Sequence, residues 1–130
     1  LLCENAAYPA LSTAGLKRLK HSKWIRFIPV RCLGSVNTVW IADALSSGYD
    51  GIILIGCKSG DDYQCHYIKG SELMETRSGN VQEKLKQLAL EEERVEIVQL
   101  AINEFERIAE IVNEFSDEIE DIGLNPFKGF

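Results

Sequence analysis

Apolar and polar positions fall in blocks along the chain, and their spacing switches between the two-residue period of a strand and the 3.6-residue period of a helix. Leu1-Leu2 reads as the end of a strand. Pro9 suits the first turn of a helix running to about Lys20, with Leu11, Ala14, Leu16 and Leu19 as its apolar positions. The β-branched and aromatic segment from Trp24 to Val30 predicts a second strand, in which Pro29 removes one ladder donor. Ser35 or Asn37 can cap a helix that carries Val39, Trp40, Ala44 and Leu45 and stops before Gly48. Gly51 to Gly56 is a continuous apolar run, the pattern of a central parallel strand covered on both faces. A polar loop follows from Lys58 to about Gly70, and Ser71 opens a helix with Met74, Val81, Leu85 and Leu88 on one face, weakened by Gly79. Val95 to Leu100 predicts an edge strand. Phe105, Ile108, Ala109, Val112, Phe115, Ile119 and Ile122 form one stripe at helical spacing. Asn103 and Glu106 are spaced as a capping box before it, and Gly123 with Pro126 supplies the stop.

Strands alternating with helices over short connections imply an α/β fold: a parallel sheet of about four strands with helices on both faces. A length of 130 residues suits a single domain over 1–130, and 45% apolar with 26% charged residues excludes a disordered or fibrous chain. The run from Gly51 to Cys57 falls far short of the ~20 apolar residues that span a bilayer, so no direct membrane insertion is expected. The chain opens on Leu1 with no signal-peptide pattern and is expected to be a fragment of a longer polypeptide.

Charge adds a polarity. The formal net charge is −6, with +3 over residues 1–90 and −9 over residues 91–130. An acidic chain lacks the basic footprint that phosphate binding needs, so nucleic acid is not expected as a partner. Glu110, Glu114, Asp117, Glu118, Glu120 and Asp121 crowd the last helix, which predicts a solvated face or a docking surface for a basic partner.

The candidate chemistry lies in Cys3, Cys32, Cys57 and Cys65, separated by 28, 24 and 7 residues. The first three follow predicted strands and the fourth sits in the loop after the third strand. Carboxyl ends of parallel strands share one edge of the sheet, where such folds place ligands, so the four thiols are expected on one rim. Disulfides suit small secreted domains that lack a core, and structural zinc usually shows tight Cys-x-x-Cys knuckles, which are absent. Four buried structural cysteines and an iron–sulfur cluster are the other readings. Spacing alone stops at a four-cysteine metal site, zinc or iron–sulfur. On oxidation, Cys57 and Cys65 are the pair expected to close.

Arg31, Lys58 and Lys69 lie near the thiols in sequence and would favour thiolates. Gly34, Gly56 and Gly60 would let backbone approach sulfur. His66 is a ligand or a loop residue, and Asp61-Asp62 reads as a turn. No Gly-x-Gly-x-x-Gly, Walker loop or Gly-x-Ser-x-Gly elbow is present, and Cys3 has Ala6 where a thioredoxin-like motif needs cysteine.

The segments Arg31-Cys32-Leu33-Gly34-Ser35-Val36, Gly51 to Cys57, Gly60-Asp61, Cys65-His66-Tyr67 and Gly123-Leu124-Asn125-Pro126-Phe127 resemble the delta subunit of methyl-viologen-reducing hydrogenase over nearly the whole chain. That resemblance implies an α/β iron–sulfur module whose 2Fe–2S cluster is held by Cys3, Cys32, Cys57 and Cys65. It implies electron transfer to or from a flavoprotein like the A-type subunit of heterodisulfide reductase, with no substrate chemistry in the domain itself. Many relatives have a further cysteine where Ala6 stands. The longer Gly60-Asp61-Asp62-Tyr63-Gln64-Cys65-His66 segment, with Cys32 to Thr38, is more similar to the C-terminal domain of the B-type subunit of the quinone-interacting membrane-bound oxidoreductase. This second resemblance implies FAD and further iron–sulfur clusters on an upstream portion or partner. It also implies a place at the cytoplasmic face of a membrane complex, in sulfur metabolism, between the quinone pool and adenylylsulfate reductase. A non-redox interaction module with structural zinc or vestigial cysteines is the alternative.

Overall fold

The apolar run after Gly51 becomes β3 (Ile52–Cys57), buried on both faces from Ile53 onward. In the computed structural model, which describes residues 1–58, 65 and 69–129, β3 is one of four parallel strands. The others are β1 (Leu2–Cys3), β2 (Pro29–Val30) and β4 (Val95–Leu100), and the sheet order is β2-β1-β3-β4. Helices α1 (Ala7–Leu16), α2 (Thr38–Ser46), α3 (Gly70–Gln87) and α4 (Phe105–Ile122) fill the connections and follow β4. This is the α/β architecture that the alternation of patterns predicts.

The two faces of β3 sort the helices. Ile53, Ile55 and Cys57 pack with α1 and α4, whereas Leu54 packs with α2 and α3. The α4 stripe supplies Ile108, Ile111, Val112 and Phe115 to the first core. α1 meets it with Ala7, Ala10 and Ala14, whose small side chains let the helix come close to both α4 and the sheet. The second core is built from Ile41, Leu45, Met74, Val81 and Leu85.

Four local expectations change. The strand expected from Trp24 reduces to Pro29–Val30, because β1, its ladder partner among the described residues, is two residues long; Trp24 is left 73% exposed. α1 ends at Leu16, which is itself exposed, and Arg18 turns the chain with φ 56° while the Leu19 amide donates back to Ala14 at 3.0 Å. In α2 the buried positions are Ile41 and Leu45, and Val39 and Trp40 face solvent; Asn37 is the cap, accepting the Val39 amide at 2.9 Å. No capping box forms before α4. Glu104 takes the N-cap position, and its carboxylate accepts the Ala101 amide at 2.9 Å and the Arg107 guanidinium at 3.0 Å.

Polar groups close the edge of the sheet where β3 begins. Asn125, almost fully buried, donates to the carbonyls of Leu45 and Tyr49 at 2.7 and 2.6 Å, and its own amide donates to Asp50 at 2.8 Å. Gly48 (φ +97°) turns beside it, against the Lys128 backbone. Arg94, 1% exposed, donates to the carbonyls of Asp50 and Gly123 and pairs with Glu91. Burial pushes the Asp50 carboxyl up, but the Lys128 ammonium, the Asn125 amide and the Arg94 charge together hold it below the usual aspartate range. A carboxyl depressed in the folded state contributes stability above its unfolded value, about pH 4, and loses it as pH falls through the folded one. Melting temperature should therefore fall more steeply below about pH 4 in the parent chain than in Asp50→Asn, when both are followed by circular dichroism.

Candidate metal centre

The sheet order decides which thiols meet. β1 and β3 are adjacent and parallel, with Leu2 opposite Ile55, so Cys3 and Cys57 lie side by side at their carboxyl ends. Their sulfurs are 3.5 Å apart. This is the point where the chain order of the strands reverses, β1 lying between β2 and β3, and open α/β sheets bind ligands at such points. Cys32 follows β2 at the start of a 3-10 turn (Leu33–Ser35), and its sulfur is 3.9 Å from that of Cys65. The expected oxidation pair of Cys57 and Cys65 is thus corrected: the close pairs are Cys3–Cys57 and Cys32–Cys65, and all four thiols are free.

Two thiolates on one tetrahedral metal at about 2.3 Å would stand about 3.8 Å apart. Both sulfur pairs are near that spacing. Charge on Cys3 helps push Cys32 up, and charge on Cys65 helps push Cys57 up, so the two pairs lie within electrostatic reach of one another. Among the described residues no three His, Cys, Asp or Glu side chains converge as a single ion would require. The described side chains thus offer two separate pairs of thiol donors, Cys3 with Cys57 and Cys32 with Cys65.

The thiols are more enclosed than an open rim: Cys3, Cys32 and Cys57 are buried and Cys65 is half-buried. Their electrostatics come chiefly from hydrogen bonds and burial. The bond from the Cys57 thiol pulls Cys3 down to about 6 against its burial, assisted by the amides of Ala7, Ala6 and Asn5. That same bond and burial push Cys57 up. Burial also pushes Cys32 up, with the Gly34 amide opposing. A cation bound between Cys3 and Cys57 would have to displace the thiol protons.

Two helices begin at this edge. The Ala7 amide, in the first turn of α1, donates to Cys3 at 3.5 Å. Gly70, the first residue of α3, lies so near that a Cβ on it would stand 1.9 Å from the Cys32 sulfur and 3.3 Å from that of Cys65. Among the described residues neither helix has a side-chain cap, and the Ala7 amide of α1 is turned to the Cys3 sulfur in its place.

Of the neighbours expected from sequence, Gly34 supplies an amide to Cys32, whereas Gly56 packs against Leu33 and Ser71. Lys58 pairs with Glu104 at 3.7 Å, and Arg31 is exposed. Gly60, Asp61, Asp62 and His66 lie outside the described residues. Sequence reasoning missed Asn5, whose amide nitrogen donates to the Cys57 sulfur at 3.4 Å, and Gly70. The signal for Gly70 was its place at the start of a helix, where glycine otherwise only weakens the first turn. Away from the thiols, a cleft of about 750 Å³ lies between Trp24, Tyr49, Phe115, Ile119 and Leu124. The acidic residues of α4 are mostly exposed, and burial together with the charges of Glu118 and Glu114 pushes the Glu96 carboxyl up.

The family model described as methyl-viologen-reducing hydrogenase, delta subunit, matches residues 1–123. The chain belongs to this family. It is 33% identical over 128 residues to the D-type iron-sulfur subunit of the F420-non-reducing hydrogenase of Archaeoglobus profundus, covering 98% of this chain and 90% of that one. It is 31% identical over 122 residues to the A-type subunit of the ferredoxin/F(420)H(2)-dependent CoB-CoM heterodisulfide reductase of Methanosarcina acetivorans, covering 94% of this chain and 15% of that one. The vhc D-type iron-sulfur subunit of the F420-non-reducing hydrogenase of Methanococcus voltae is 31% identical over 121 residues, or 93% of this chain and 82% of the relative. The delta-type chain therefore matches most of one protein and a small part of another, and both kinds of relative are parts of oxidoreductase systems. An electron-transfer role in such a system is consistent with both. Among the described residues no helix is long and apolar enough to cross a membrane.

Proposed function

We propose that residues 1–130 form one iron–sulfur electron-transfer domain, in which Cys3, Cys32, Cys57 and Cys65 hold a 2Fe–2S cluster. The observation that carries this reading is the arrangement of the thiols in two pairs, each near the separation of two ligands on one tetrahedral metal. Such a cluster takes up and releases one electron at a time. The chain's own residues would do the rest. Cys3 and Cys57 would take one iron at the ends of β1 and β3, and Cys32 and Cys65 the other. The first turns of α1 and α3 would direct amides and dipoles at the added negative charge, while the buried walls of Leu2, Leu33 and Ile55 exclude water. The names of the delta-type relatives as iron-sulfur subunits support the metal, and the heterodisulfide reductase likeness supports a flavin-containing protein or domain of its A type as partner.

FAD and further clusters belong, in this reading, to that partner or to other portions of the complex. The finer placement, a cytoplasmic relay beside a membrane complex between the quinone pool and adenylylsulfate reductase, rests on the Cys32 to Thr38 and Gly60 to His66 segments.

Anaerobic purification followed by iron, sulfide and zinc analysis tests the site. About two iron and two sulfide per chain with an EPR signal on reduction is the expected result. One zinc per chain without a reducible iron signal would instead establish the interaction-module alternative. Replacing Cys32 or Cys57 by Ser should cut iron retention by roughly 10–100-fold, while the circular dichroism spectrum is kept, because the helices and β3 draw their cores from apolar residues and not from metal.

A further inference from the structure

Asn5 lies in the turn between β1 and α1, a turn pinned by the Glu4 amide donating to the Val30 carbonyl at 2.9 Å. The residue is exposed, yet its side-chain nitrogen reaches inward to the Cys57 sulfur at 3.4 Å, and its backbone amide lies near enough to Cys3 to help hold that thiol down. One residue thus acts on both Cys3 and Cys57.

We propose that Asn5 sets the reduction potential of the centre by donating its side-chain amide to Cys57. The inference rests on the reading of the four cysteines as cluster ligands. A thiolate sulfur carries more negative charge when the metal it binds is reduced, so an N–H donor on it binds the reduced state more tightly than the oxidised one. Differential binding of that kind raises the potential. The donor is not a ligand, so its removal leaves the ligand set complete. Because Asn5 is exposed and lies before the first turn of α1, the apolar cores do not depend on its side chain.

The test compares midpoint potentials, by EPR-monitored titration of the anaerobically loaded chain, for the parent, Asn5→Leu and Asn5→Asp. Leucine keeps the volume and removes the donor, and it should disfavour reduction about tenfold, a shift of about 59 mV to more negative potential for one electron. Aspartate removes the donor and adds a charge, and its potential should be lower still. Iron and sulfide content should match the parent in both variants. Equal potentials in three loaded chains would overturn the role of Asn5 and leave the cluster reading standing; a changed melting temperature with an unchanged potential would reduce Asn5 to a structural turn residue. If neither parent nor variants retain iron and sulfide, the cluster reading fails and this inference with it.

Discussion

Replacing Gly70 with alanine should abolish retention of the proposed metal centre while the fold stays intact. The added Cβ would stand 1.9 Å from the Cys32 sulfur, far inside contact distance, and 3.3 Å from that of Cys65. The sulfurs of both Cys32 and Cys65 would have to move, so metal affinity should fall by roughly 10–100-fold or more. The backbone has no reason to object, because Gly70 is the first residue of α3 and alanine is the better helix former. Gly79, on the same helix with nothing within 4 Å of its would-be Cβ, is the control. Its alanine variant should keep full iron and sulfide content and gain about 0.5–1 kcal/mol in stability. Metal analysis beside chemical denaturation checks both. A Gly70→Ala chain that loads as well as the parent would contradict the close approach of α3 to the thiols.

The largest effect on stability should come from Arg94→Met. Arg94 is 1% exposed, and its guanidinium serves the carbonyls of Asp50, Gly123 and Leu124 together with the Glu91 carboxylate. Methionine has comparable length but no donor, so the carbonyls at the start of β3 and the end of α4 lose their partner in a buried place. Each group left unsatisfied costs about 1–3 kcal/mol, and a net loss of about 3 kcal/mol is expected. For a domain of this size that is a fall in melting temperature of roughly 10–15 °C. Cys3 and Cys57 end β1 and β3 and Cys32 follows β2, whereas Arg94 closes the opposite edge, so the proposed metal content per folded chain should not change. A melting temperature within a few degrees of the parent would show that water replaces the guanidinium at little cost.

These two residues show where sequence reading runs out. Gly70 and Arg94 each look ordinary along the chain: a glycine at a loop end, and an arginine after the acidic run Glu91-Glu92-Glu93. Their importance comes from what the fold brings against them. The closing Gly123 to Phe127 segment carries a family resemblance in sequence, but its physical use is visible only once Asn125 is seen holding the carbonyls of Leu45 and Tyr49. The Asn103 and Glu106 pair had the spacing of a capping box, yet Glu104 took the cap position because its carboxylate meets both the Ala101 amide and Arg107.

Local pattern alone determined the α/β class, the buried central β3, the α4 stripe and the gathering of cysteines at the carboxyl ends of strands. Each follows from periodicity and from the direction that parallel strands must share, properties a chain carries residue by residue. The pairing of Cys3 with Cys57 and of Cys32 with Cys65 was decided by the tertiary structure, because it depends on β1 standing beside β3 and on where Cys65 returns to meet Cys32. So was the shortness of β2: the segment from Trp24 has strand composition, but β1 offers a ladder of only two residues, and hydrogen bonds form only where a partner strand exists to receive them.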